Sequence, residues 1–314
     1  MSDNMMMHDI IQQQEMIYTA EEQQYEEMRR TYFNEYQDTS NSPIYPILGT
    51  EQTGINCGMF ASAMAIYAIS QRMHARENRL FPLLRNGQIH ANMVLNLAHE
   101  LQRQGQMNAL TSLGEMFDAD SLAETINLFA ENEEALEACG LDNGTESIMA
   151  RVIPFTDIVR FENAIRFARD NHLMVLVPYY AGHEAEPYIP QNAVGSEDMT
   201  NAHWVLIRGE GTGAVESVSV YEGNMLQMGQ IYTLESVFNS NMSLSNRISW
   251  SHFFEGTEQD APDLYHQASV GINSRINELL DRNGQIPFDL DNTEEIVNLR
   301  GRMVVIGHRA VHQN

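Results

Sequence analysis

The densest chemistry in the sequence lies in the segment GTEQTGINCG, residues 49–58, where Cys57 stands at the entry to a long apolar run. A helix beginning there offers unpaired N–H groups and the positive end of its dipole. Both favour a thiolate over a thiol, and the thiolate is the nucleophilic form of sulfur. Gly54 and Gly58 permit a tight turn and the close approach of a substrate. Gln52 is placed to aim its side-chain amide at an oxyanion, with the Cys57 N–H as the second donor. The competing reading is a cysteine buried for packing alone, because cysteine is among the most buried residue types.

A sulfur nucleophile needs a base. The segment Asn201-Ala-His203-Trp204 supplies one at the mouth of the apolar strand WVLIR. Cysteine first and histidine far downstream is the order found in papain-like enzymes. The base in turn needs an acceptor on its other ring nitrogen to fix its tautomer. Tyr221-Glu222-Gly223-Asn224 follows a hairpin, so Glu222 is the first choice for that role. Asn224 lies on the same face of a continuing strand and is the reserve. Gly54, Asn56, Gly58, Trp204 and Asn224 are the candidate substrate contacts. No metal or cofactor is expected. His99-Glu100 begins like a zinc-protease motif, but Arg103 holds the place of its second histidine. No Cys/His cluster has structural-zinc spacing, and no GxxxxGK[ST] or GxSxG segment occurs. Cys139 ends an acidic helix whose carboxylates and dipole raise its thiol, so it reads as structural.

These residues need elements to hold them. Residues 8–37 read as a polar helix with a loose apolar stripe of Ile11, Met16, Tyr18, Tyr25, Met28, Tyr32 and Phe33. It is either an arm lying on the body or a surface that binds a partner. Ser42-Pro43 and Tyr45-Pro46 break it, which divides the chain into an arm, 1–42, and a domain, 43–314. Helices are expected from Cys57 to Arg72, at 89–103, at 121–138 and at 157–170. Strands are expected from His172 to Tyr180, Trp204 to Arg208, Val215 to Tyr221 and Met303 to Ile306, with a hairpin turn at 209–213. A further helix is expected at 268–282. Helices first and an antiparallel sheet later is an α+β order.

The chain carries 18 basic and 43 acidic residues, a net charge of −25, and no lysine at all. That balance argues against nucleic acid and anionic membranes as partners. No apolar run is long enough for a membrane span or has the form of a signal peptide. Two cysteines in this length are not a disulfide framework and suit a reducing cytoplasm. Arginine does most of lysine's surface work, so folding does not demand lysine's absence. Avoiding lysine-directed modification, such as ubiquitination in a host cytosol, is one reason for it. Avoiding self-acylation is another.

Several segments in order resemble the actin maturation proteases, a branch of the papain-like cysteine peptidases. QTGINCGMFASAMA (52–65) resembles the family's nucleophile segment, and GEMFDADSLAETI (114–126) its Gly-Glu-Met-Phe segment. VLVPYY (175–180), with His183, Glu184 and Pro187 beyond it, resembles the Pro-Tyr strand. NAHWVLIRG (201–209) resembles the base segment, and FNSNMSL (238–244) a late Ser-Asn element. The resemblance implies a thiol peptidase that trims the N-terminus of actin, with Cys57 as nucleophile, His203 as base and Gln52 as oxyanion donor. Actin's N-terminus is acidic, so an enzyme at −25 needs a local arginine cluster to receive it. Arg151, Arg160, Arg166 and Arg169 are the candidates. The sequence thus predicts a papain-like α+β cysteine peptidase, cytoplasmic or delivered by a bacterium into a host cytosol. Its rivals are an acyltransferase, transglutaminase or deamidase with the same triad, and a non-catalytic binding module.

Overall fold

The computed structural model describes residues 22–36, 56–76, 87–141 (except 109, 112–113 and 140), 148–182, 186–190, 202–209, 214–218, 230–249 (except 246), 294–296 and 298–310. The helices are α1 (22–33, its last turn π-helical at Arg29–Phe33), α2 (Cys57–Arg76), α3 (Gly87–Met107), α4 (Ala119–Ala130), α5 (Glu133–Ala138), α6 (Ile158–Asp170) and α7 (Leu234–Met242). Strands β1 (Ile148–Pro154), β2 (Met174–Tyr180), β3 (Ala202–Gly209), β4 (Ala214–Val218), β5 (Gln230–Thr233) and β8 (Arg302–His308) form one sheet in the order β1-β8-β2-β3-β4-β5. Every neighbouring pair in it is antiparallel. Strands β6 (Arg247–Ser249) and β7 (Glu294–Ile296) pair separately.

Helix ends follow local chemistry. The carboxylate of Asp157 accepts the Arg160 N–H at 2.9 Å and starts α6, as an N-cap should. The stretch expected as one helix at 121–138 is two, because Asn132 leaves the helical conformation and accepts the Ala135 N–H at 3.1 Å to begin α5. Strand β1 was not foreseen. Its pattern is only partly alternating, and its partner β8 lies at the far end of the chain. The expected helix at 268–282 lies outside the described residues.

The pleat divides the sheet's side chains between two cores. Met174, Leu176, Trp204, Leu206, Val304 and Ile306 pack with α2, α3, α4 and α5. Val175, Val177, Tyr179, Val205, Ile207, Met303 and Val305 pack with α6, α7 and α1. Met28, Phe33 and Tyr36 are buried in this second core, and the Phe33 and Phe167 rings stand 4.3 Å apart. The Tyr36 hydroxyl donates to the Val305 carbonyl at 2.7 Å. The described part of the arm therefore spends its apolar stripe within its own domain. No helix among the described residues is long and apolar enough to cross a membrane.

Candidate active site

Asn56 is the last residue before α2, and its carbonyl accepts the N–H groups of Met59 and Phe60 at 2.9 and 3.1 Å. Cys57 is therefore the first helical residue, and the early N–H groups have no intrahelical acceptor. Its sulfur accepts the backbone N–H of Trp204, the residue after His203, at 3.4 Å. Sheet register explains why that donor is free. Trp204 stands opposite Pro178 on β2. Proline has no N–H, so the two cannot exchange paired ladder bonds. The Trp204 N–H then faces the other side of β3, where Cys57 meets the strand. The pleat carries Trp204 into the α2 core and His203 to the alternate face.

Both site residues keep a part of their surface open while heavy atoms surround them closely. Burial raises the Cys57 thiol above its usual range. The N–H groups of Trp204, Gly58 and Cys57 itself pull it partly back. Burial lowers His203 to about 4. At neutral pH the Cys57 thiol and the His203 imidazole are thus both uncharged, and no hydrogen bond joins them among the described residues. The helix dipole alone favours a thiolate, but desolvation outweighs it here. Nε2 of His203 is buried with no hydrogen-bond partner among the described residues. Gln52, Gly54, Glu222 and Asn224 lie outside the described residues.

Two residues expected as substrate contacts also pack the join of α2 and β3. Trp204 is buried, and its indole N–H donates to the Met116 carbonyl at 2.7 Å. A Cβ added at Gly58 would stand 3.3 Å from both Met116 Cβ and Trp204 Cδ1. The glycine therefore lets α2 close on β3. Asn56 is also buried, and its Nδ2 donates to Gln102 Oε1 at 2.9 Å.

Several positioning residues were not foreseen as such. Thr111 donates its hydroxyl to Glu115 and accepts the Gly114 N–H, which shapes the turn that carries Met116 under Trp204. Asn241 is fully buried. Its Nδ2 donates to the carbonyls of Pro178 and Leu299 at 2.8 and 3.3 Å, and its Oδ1 accepts the Gly301 N–H at 2.8 Å. It staples α7 to the end of β2 and to the turn before β8. Gly114, Glu115 and Asn241 fall in segments singled out in the sequence, whereas Thr111 lies outside them and carries no signal of its own.

Other expectations change with tertiary context. Arg103 pairs with Glu100 on the surface of α3. Cys139 is buried, and its thiol is pushed up to about 11, first by burial and then by Glu100. Of the four arginines expected to form a cationic cluster, Arg151 pairs with Glu35, Arg160 with Asp157 and Arg169 with Asp170. Arg166 lies 4.3 Å over the Tyr25 ring. Arg160, Arg166 and Arg169 belong to α6, across the sheet from α2. No family model, curated protein or solved structure matches the chain.

Proposed function

We propose that this chain is a papain-like cysteine peptidase that hydrolyses a peptide bond in a protein substrate. The observation that carries the reading is the 3.4 Å contact between the Trp204 N–H and the Cys57 sulfur, which seats the segment bearing His203 against the start of α2. Because the resting pair is neutral, the proton must move during attack. The Cys57 sulfur adds to the scissile carbonyl while the His203 imidazole, once brought within reach, takes the thiol proton. The oxyanion is held by the Cys57 N–H and the Gln52 amide. The imidazolium gives its proton to the leaving amine, and a thioester remains. Water then attacks, again through His203, to release the acid and restore the thiol. Glu222, with Asn224 as reserve, would orient and stabilise the charged ring.

The resemblance to actin maturation proteases names the N-terminus of actin as the substrate to test. The engaged arginines offer no free cationic patch for it on α6, so the peptidase reading is stronger than the actin reading. The lysine-free composition supports work in a ubiquitin-containing cytosol, as a cytoplasmic protein or a delivered effector. The same composition favours a second reading, amine transfer from the thioester, since such an enzyme would not modify itself.

Acetylated, unprocessed actin is incubated with wild type and Cys57→Ala and weighed by intact-mass spectrometry. Loss of the N-terminal residue with wild type alone supports both peptidase and substrate. Unchanged actin sinks the actin assignment. A proteome-wide search for new N-termini then tests the peptidase itself, and finding none that depends on Cys57 would refute it. A labelled amine in the same reaction reports transfer. Full cellular activity of Cys57→Ala would mean a binding module.

A further inference from the structure

The residue before the nucleophile is an asparagine in the N-cap position, yet it does not cap. An N-cap side chain ordinarily accepts the N–H of the second or third helical residue. The Met59 N–H is already bonded to the Asn56 carbonyl. A capping Asn56 would therefore take the Gly58 N–H, the first-turn donor next to Cys57. Instead its Nδ2 donates to Gln102 Oε1 on α3, at 2.9 Å, and its Oδ1 is buried without a hydrogen-bond partner among the described residues. A buried orphan acceptor costs stability. A strong cap is forgone as well.

The diversion is built in from a second side. Gly114 has a φ of 103°, and a Cβ there would stand 2.5 Å from Asn56 Cβ and 2.9 Å from Gln102 Oε1. Only glycine can take that conformation and leave room for the pair. The turn therefore closes over Asn56 and Gln102 and buries the asparagine.

We propose that Gln102 is a positioning residue that holds the Asn56 carboxamide away from the first turn of α2, so that the Gly58 N–H beside Cys57 is left uncapped and free to favour a thiolate. This rests on the reading of Cys57 as the nucleophile. The cap and the thiolate compete for that donor, and α3 decides between them. Titratable groups on the packed elements are His203 on β3, Glu115 in the turn after α3, and Glu100 on α3, which is tied to Arg103. None of them is changed in the test.

The test uses the full chain and needs no substrate. Alkylation of Cys57 by iodoacetamide is followed against pH by peptide mass spectrometry, with buried Cys139 as internal reference. Gln102→Leu releases Asn56 to cap its helix. Its alkylation rate at pH 7 is expected to fall roughly tenfold, with the midpoint of the pH profile moved upward. The double variant Asn56→Ala/Gln102→Leu has no capping oxygen and is expected to return to near the wild-type rate. A wild-type rate in Gln102→Leu overturns the proposal. So does a double variant that stays slow, since general loosening is not rescued by a second deletion. Should Gln102→Leu fail to fold, Asn56→Ala alone must keep the wild-type profile, and a slowed thiol there overturns the proposal. Rescue of the thiol in a protein that cleaves nothing would refute the peptidase reading and leave this one standing.

Discussion

Gly58→Ala sets two opposed effects against each other at the candidate nucleophile. The added methyl would lie 3.3 Å from Met116 Cβ and Trp204 Cδ1 and 3.5 Å from Leu122 Cδ1. Ordinary carbon contacts lie at about 3.5–4.0 Å, so something must give by a few tenths of an ångström. Met116, Trp204 and Leu122 are all buried, and Trp204 is pinned by its bond to the Met116 carbonyl. The softer response is for the start of α2 to lift from β3. Overpacking of this kind costs about 1–3 kcal/mol, and alanine returns up to about 1 kcal/mol of helix propensity. The net loss is therefore between about 0 and 3 kcal/mol. The same lift lengthens the 3.4 Å contact between the Trp204 N–H and the sulfur. Losing much of that bond to a thiolate slows alkylation at pH 7 by up to roughly tenfold. Urea unfolding and iodoacetamide labelling of Cys57 measure the two quantities. A wild-type labelling rate would refute the link between helix seating and sulfur chemistry. A loss beyond about 4 kcal/mol would show that α2 cannot lift and that the glycine serves the core.

His203 is expected to make the fold acid-sensitive. Its folded value, about 4, lies below the ordinary 6.5. Below pH 6.5 the unfolded chain therefore binds a proton that the folded chain refuses. This contribution is full above pH 6.5, declines down to about pH 4, and amounts to about 1–3 kcal/mol after allowance for partial exposure. Denaturant unfolding at pH 7.5 and 4.5 should show a smaller drop for His203→Gln than for wild type, and equal drops would sink the assignment. Asn241→Leu keeps the branched shape but removes the side-chain partner of the Pro178 carbonyl and the Gly301 N–H, while the Leu299 carbonyl keeps the Arg302 N–H. A loss of roughly 3–6 kcal/mol is expected, and a thermal shift of only a degree or two would contradict the staple.

The acidic net charge bears on substrate choice. Arg160 and Arg169 each have a carboxylate within their own helix or at its edge, and such exposed pairs contribute little stability. They nonetheless occupy the groups on α6 that an acidic chain would seek. A substrate segment near neutral, or a basic one, suits the protein's field better than an acidic one.

Much of the fold is legible in sequence, because short-range physics decides it. The apolar run after Cys57, the all-buried Met174–Tyr180, the strand after His203 and the cap at Asp157 each carry their own signal. Cys57 and His203 stand out for the same reason, since each sits at the end of a strongly patterned element. What the sequence leaves open depends on atoms far apart along the chain. Strand β8 enters between β1 and β2, a choice that belongs to the packing of two cores and to no local pattern. The dipole at the start of α2 is visible in sequence, but the desolvation that overrides it comes from the residues packed around Cys57. Four arginines read as a cluster until tertiary contacts show each with its own partner. Asn56 reads in sequence as a candidate substrate contact, and its tie to Gln102 under Gly114 comes from the packing of α3 and the turn after it. Periodicity and capping are set by neighbours in sequence. Burial, ion pairing and the diversion of a polar side chain are sums over neighbours in space, and the tertiary structure alone supplies those.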